Sequence, residues 1–308
     1  MRVDIHQHVW TASLVDALAA RDSPPRVVRV GGEAILESVG EAPWVIDLEA
    51  ESPHRRLRLV EQDGLDLAVV AISSPVGIET LPRDEAVPLI EAHLAGVQAL
   101  GPRFAAWGPI ALDRPTPADV DRVLDIGCVG VSLPAGAIAT PERLESMRSV
   151  LNRVAERGAP LFVHPGPGPG DHPPTGDQAP RPTDPPWWKA MTSYVSQMQA
   201  AWLSLAALGR PEHPELTSVF AMLAGGAPLL SERLAARGGP LVDLGHPRTF
   251  YDSSSVGPVA IDAIAAHVGE DRLIYGSDRP VIEPVRGGPD VHLQENAARL
   301  VAVTGCPA

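Results

Sequence analysis

Two histidines, His6 and His8, stand at alternate positions in Asp4-Ile5-His6-Gln7-His8-Val9-Trp10, in a short apolar run that predicts a β-strand. Alternate side chains of a strand point the same way, so the pair offers two imidazoles to one point in space. Neutral imidazole is the commonest protein ligand for a divalent metal. A His-x-His pair alone is as readily two ordinary histidines, so the weight rests on its companions. His164 ends the run Pro160-Leu161-Phe162-Val163-His164, and Asp278 follows Tyr275-Gly276-Ser277. Three imidazoles and one carboxylate suit one zinc ion, with Fe²⁺, Mn²⁺ or Co²⁺ as alternatives. A bound metal of this kind lowers the pKa of water toward ~7 and polarises a carbonyl oxygen.

For these side chains to meet, their strands must lie side by side and end on one rim. From residue 54 onward, strand-like and helix-like patterns alternate. Strands are predicted at 67–72, 104–110, 129–133, 160–164, 217–223, 249–252 and 272–276. With the opening strand they make eight β-then-α units, which predicts an α/β fold, a closed (β/α)₈ TIM barrel. An open doubly wound sheet is the alternative. In such a barrel the chemistry sits at the C-terminal strand ends, where His6, His8, His164 and Asp278 all fall.

The whole chain, 1–308, reads as a single barrel domain. Residues 24–53 interrupt its first unit and predict a hairpin insertion turning at Gly31-Gly32. The Pro-rich stretch 165–186 follows strand five, and a long helix is predicted at 186–208. Long loops inside compact domains are often functional, so 165–186 predicts a lid or wall over the site. Trp187, at its far end, and His172, within it, are candidate substrate-binding residues. Arg279 and Arg181 are candidates for a substrate carboxylate, which arginine binds bidentately. Asp252 closes strand seven, where it could orient a ligand His, bind substrate or cap the next helix. His54, His93, His213, His267 and His292 read as structural or surface residues.

The 308 residues carry a formal charge of −13 with no basic cluster, which argues against nucleic acid or an anionic membrane as partner. A small anionic substrate stays compatible, because a few local arginines can reverse the field in a cleft. Cys128 and Cys306 show no metal-type spacing and suit a reducing compartment. No run approaches the roughly 18 apolar residues of a membrane span. The opening strand begins at Arg2 or Val3, which leaves no room for a signal peptide, so the expected location is the cytoplasm. Lys189 is the only lysine, and beside Trp187-Trp188 it is a poor candidate for Schiff-base or Walker-type chemistry.

Over nearly its whole length the chain resembles the amidohydrolase superfamily. The branch is that of the amidohydrolase-related TIM barrels, which includes lactonases and decarboxylases of the aminocarboxymuconate semialdehyde type. The resemblance is carried by Asp4 to Trp10, Leu161-Phe162-Val163-His164-Pro165, Gly225-Gly226-Ala227-Pro228, Tyr275 to Pro280, and Glu295-Asn296-Ala297-Ala298-Arg299-Leu300. Gln7 and Trp10 around the His pair look more like the lactonases. The resemblance implies one metal held by His6, His8, His164 and Asp278, with Asp278 and His164 as the catalytic candidates and Asp278 also a proton shuttle. Binuclear relatives add a lysine on strand four, where this chain has Val131-Ser132-Leu133-Pro134, so the expected site is mononuclear. Relatives usually carry a His two positions before Gly225-Gly226; here that position is Leu223, which cannot move a proton. Hydrolysis of a small cyclic ester or amide is therefore expected first, and metal-dependent non-oxidative decarboxylation second. A catalytically impaired barrel comes third. Relatives are often dimers, which leaves a homodimer open.

Overall fold

The structure is a computed structural model and describes residues 1–171, 184–284 and 291–302. Eight parallel strands form one sheet: β1 (Val3–Gln7), β5 (Leu67–Val70), β6 (Phe104–Pro109), β7 (Gly130–Pro134), β8 (Pro160–His164), β9 (Thr217–Phe220), β10 (Thr249–Asp252) and β11 (Leu273–Ile274), neighbours in that order. Backbone bonds join the last strand to the first. The Ile5 N–H donates to the Tyr275 carbonyl at 3.0 Å, Asp278 to His6 at 2.8 Å, and His8 to Arg279 at 2.6 Å. The sheet thus closes into the predicted (β/α)₈ barrel.

Covered by helices outside and side chains inside, the strands are buried on both faces, which explains their near-continuous Val, Leu, Ile and Ala runs. Trp107 and Phe162 stack, with centroids 5.0 Å apart and planes 15° apart. The Trp107 indole N–H donates to the Ile5 carbonyl at 2.7 Å. The edge-to-face contact of His6 with Phe162, at 5.0 Å, sets this aromatic pair next to the proposed ligands.

Several strand ends shift by one or two residues, and two elements differ more from the sequence reading. Strand six stops at Phe220, not 223, because Met222, Leu223, Ala224, Gly225 and Gly226 all take left-handed backbone angles, with φ between 50° and 76°. For the three that are not glycine this is costly, by roughly 1–2 kcal/mol each. The turn is held at its start, where the Met222 N–H donates to Asp252 Oδ1 at 2.9 Å and Ser254 Oγ at 3.2 Å. The predicted helix 186–208 is broken at Thr192 (φ −117°, ψ −77°) into Trp188–Met191 and Ser193–Ser204. The Thr192 hydroxyl donates to the Trp188 carbonyl at 2.7 Å, a local bond that competes with the helix.

The predicted insertion hairpin is present as β2 (Arg26–Val30) and β3 (Glu33–Glu37), and a third antiparallel strand, β4 (Trp44–Ile46), extends it. Trp44 packs edge-on against Trp10 at 5.5 Å, docking the insertion beside the opening motif. Residues 172–183 lie outside the described residues, and with them most of the predicted lid, His172 and Arg181. The start of that loop is fixed: Gly136 and Gly166 share a backbone bond of 3.0 Å, and a Cβ on Gly136 would come within 2.2 Å of the Gly168 nitrogen. Among the described residues no helix is long and apolar enough to cross a membrane.

Candidate metal centre

His6 and His8 leave β1 at its C-terminal end, His164 ends β8, and Asp278 follows β11. One ligand atom from each lies within 4.8 Å of the others, and all four side chains are buried. The His6 and His8 Nε2 atoms are 3.2 Å apart, and Asp278 Oδ1 is 3.3 Å from His8 Nε2 and 3.7 Å from His6 Nε2. Donors 2.0–2.1 Å from a tetrahedral ion stand about 3.3 Å apart, so the spacing fits a divalent cation. The three imidazole centroids form a triangle with 5.0 Å sides and nearly perpendicular planes.

The far nitrogen of each ring decides what the near one offers. His8 Nδ1 lies 2.9 Å from the Ala71 carbonyl and His164 Nδ1 lies 2.8 Å from the Pro165 carbonyl. A carbonyl only accepts, so both Nδ1 atoms carry hydrogen, and Nε2 is the atom each ring offers to the centre, as a bare lone pair when the ring is neutral. His6 Nδ1 donates to Asp252 Oδ2 at 2.7 Å. Lone pairs 3.2 Å apart repel unless a cation or proton lies between them. This orienting set of two carbonyls and one carboxylate is what metal-binding imidazoles require.

Asp252 was open in sequence among three roles; its carboxylate takes the His6 N–H on one oxygen and the N–H groups of Ser254 and Met222 on the other. It therefore orients His6 and anchors the left-handed turn that holds Leu223. Asp278 itself takes a left-handed backbone, φ 62°, and accepts from the Ser255 hydroxyl at 2.7 Å. Ser255 has the same φ of 62°. Two strained, paired residues facing a site are typical of functional positions. A Cβ on Gly276 would lie 2.8 Å from His6 Cβ and 3.0 Å from Asp252 Oδ2. Glycine is what lets the strand-eight motif approach this pair.

The electrostatics are divided between the ligands. Burial works to raise the Asp278 pKa, but the hydrogen bond with His8 and the field of His6 and His8 outweigh it and hold the carboxyl well below its usual range. His164 is pushed well below the ordinary imidazole value, first by burial and then by His6 and His8. For His6, burial lowers the value, yet Asp252, Asp278 and Asp4 together leave it raised. Asp4, fully buried, accepts from the His6 and Ser277 backbone and from Gln7, and so staples the barrel seam under the site.

The other predicted site residues do not join the cluster. The Arg279 guanidinium is taken by Asp63 at 3.0 Å and Glu283 at 2.7 Å. Trp187 is exposed and packs on Trp188, with centroids 5.7 Å apart. Ser255 and Tyr194 were missed by the sequence reading. Tyr194 carried no motif; its burial beside Glu41, from the distant insertion, marks it only in the folded chain.

No family model matches the chain, and no curated protein does. Solved structures do. The apo form of IDCase from Metarhizium anisopliae superposes with a TM-score of 0.76 at 17% identity, covering 98% of this chain and 97% of that one. The 5-carboxyvanillate decarboxylase of Novosphingobium aromaticivorans, solved with manganese, gives 0.71 at 17% identity, covering 98% and 96%. A 2,6-dihydroxybenzoate decarboxylase from Rhizobium gives 0.66 at 15% identity, covering 98% of each chain. Over almost its whole length the chain shares the fold of these solved barrels, and of one described as an amidohydrolase II, at 17% identity or below.

Proposed function

We propose that this chain is a mononuclear metal-dependent enzyme that removes CO₂, without oxidation, from a small anionic acid. The observation that carries the reading is the convergence of His6, His8, His164 and Asp278 on the rim of a barrel shared end to end with decarboxylases. Zn²⁺ and Mn²⁺ are the ions best suited to three imidazoles and a carboxylate here; manganese is bound in one neighbour. When bound, such an ion supplies Lewis acidity toward substrate oxygens.

The remaining work falls to the chain's own groups. Departure of CO₂ leaves an electron pair on carbon that must receive a proton in a site shielded from bulk water. Asp278 is the group for that transfer. Loss of CO₂ from a carboxylate consumes one proton, which Asp278 is positioned to relay from solvent to that carbon, regaining its ionised state afterwards. Ser255 fixes Oδ2, and Oδ1 faces the imidazoles. Phe162 and Trp107 pack behind His6 and keep that side of the site dry.

Hydrolysis, placed first by sequence, becomes the second reading, and Leu223 is what favours it. A decarboxylase that relies on a His at that position has no equivalent here, whereas Asp278 alone can take a proton from attacking water and pass it to a leaving group. Metal-loaded protein should release CO₂ from at least one member of a panel of aromatic and unsaturated acids. Asp278→Asn should lower that rate 10²–10⁴-fold. Turnover of lactones, with no CO₂ from any acid, would replace the proposal with the hydrolytic reading.

A further inference from the structure

A second cluster of polar groups lies on the same rim. A cavity of about 330 Å³ opens between the insertion, the loops after β5 and β8, and the helix Ser193–Ser204. Its polar lining includes Glu41, Lys189, Tyr194 and Gln197, and it reaches Gly166, two residues beyond the ligand His164. Gln197 accepts from the Gly166 N–H at 3.0 Å, which fixes the helix to the end of β8.

Lys189, the only lysine of the chain, donates to the Gly40 carbonyl at 2.6 Å and pairs with the Glu41 carboxylate. The Tyr194 hydroxyl donates to the same Glu41 oxygen at 2.8 Å. Two donors of the barrel side thus converge on one carboxylate of the insertion, inside a cavity. The other lining carboxylate, Asp171, is already paired with Arg143. Burial first, then Glu41 and Asp278, hold the Tyr194 hydroxyl protonated far above the ordinary phenol range, so it keeps a hydrogen to donate. Lysine and tyrosine that hold an internal carboxylate have the chemistry to hold an external one.

We propose that this cavity is the subsite for a second carboxylate of the substrate, with Lys189 and Tyr194 as its donors and Glu41 as the internal anion it displaces. The substrate class is then a dicarboxylic acid, one carboxylate at the metal centre and the other at Lys189. This rests on the metal-centre reading above.

Calorimetric titration of the manganese-loaded protein with benzoate and with the three phthalate isomers, which differ in carboxylate spacing, tests it. At least one isomer should bind about tenfold tighter than benzoate, roughly the worth of one charge-assisted hydrogen bond. Lys189→Met should abolish that preference, and Lys189→Arg should keep most of it. Glu41→Gln should strengthen binding, because the competing anion is gone. If Glu41→Gln weakens binding as Lys189→Met does, the trio is only a latch and the proposal fails. It also fails if Lys189→Met leaves the preference intact, or if wild type shows none. Melting curves of each variant separate these outcomes from misfolding. A preference that depends on Lys189 and is equal in metal-loaded protein and in His164→Ala would keep the subsite while sinking the metal-centre reading.

Discussion

At the scale of single residues, the site works through pairs. His6 is placed to act as a ligand because Asp252 holds its far nitrogen, and Asp252 can do so because Gly276 leaves room. Asp252→Ala should therefore weaken metal binding 10–100-fold without touching a ligand, as judged by competition with a chelator dye. Gly276→Ala should do the same, since its new methyl would overlap His6 Cβ. An unchanged affinity in both would show that the orientation of His6 does not matter. The convergence of His6, His8, His164 and Asp278 was legible in sequence because strand periodicity and barrel geometry act on side chains directly. Ser255 and Tyr194 were not, because nothing local marks them. A hydroxyl becomes a partner for Asp278 only when β10 and β11 meet, and Tyr194 meets Glu41 across 153 positions.

At the scale of elements, seven barrel strands were read within two residues at each end. Their apolar runs are bounded by turn residues, and burial on both faces leaves no ambiguity of side. β9 ran short because its last predicted residues, Ala221-Met222-Leu223, are apolar like a strand, yet Met222 and Leu223 follow a left-handed path fixed by Asp252 and Ser254. Only tertiary contacts mark that turn. β4 was missed because three residues are too few for a periodic signal. The loop after β8 starts from a close approach of Gly136 to Gly166 and Gly168. Gly136→Ala should lower stability by about 1–3 kcal/mol in urea unfolding, the usual penalty of overpacking against backbone. A change below about 0.5 kcal/mol would mean that the loop start yields easily.

At the scale of the whole molecule, burial of titratable groups makes stability depend on pH. His93, on the helix Arg83–Ala99, read as structural or surface, is fully buried, and neither ring nitrogen has a partner among the described residues. Burial, with a smaller contribution from His8, pulls its pKa down to about 3 from 6.5. Between those values the unfolded chain binds a proton that the folded chain refuses. This contribution is fully present above pH 6.5 and is lost as pH falls toward 3, by about 1.4 kcal/mol per unit. Asp278, depressed by its histidines, acts in the same direction at lower pH. His6, raised, acts oppositely: its contribution is full below 6.5 and is lost as pH rises through its folded value. Urea unfolding of His93→Leu between pH 6 and 5 should take up about one proton fewer than wild type. Equal slopes would mean that His93 is protonated in the fold.

The claim on which the rest depends is that four side chains from three strands hold one metal ion. Mass-spectrometric metal analysis of purified, tag-free protein, beside His164→Ala, addresses it directly. About one zinc or manganese per chain in wild type, absent from the variant, is the expected result. Wild-type protein that stays metal-free after reconstitution, or a variant that binds as much as wild type, would contradict it.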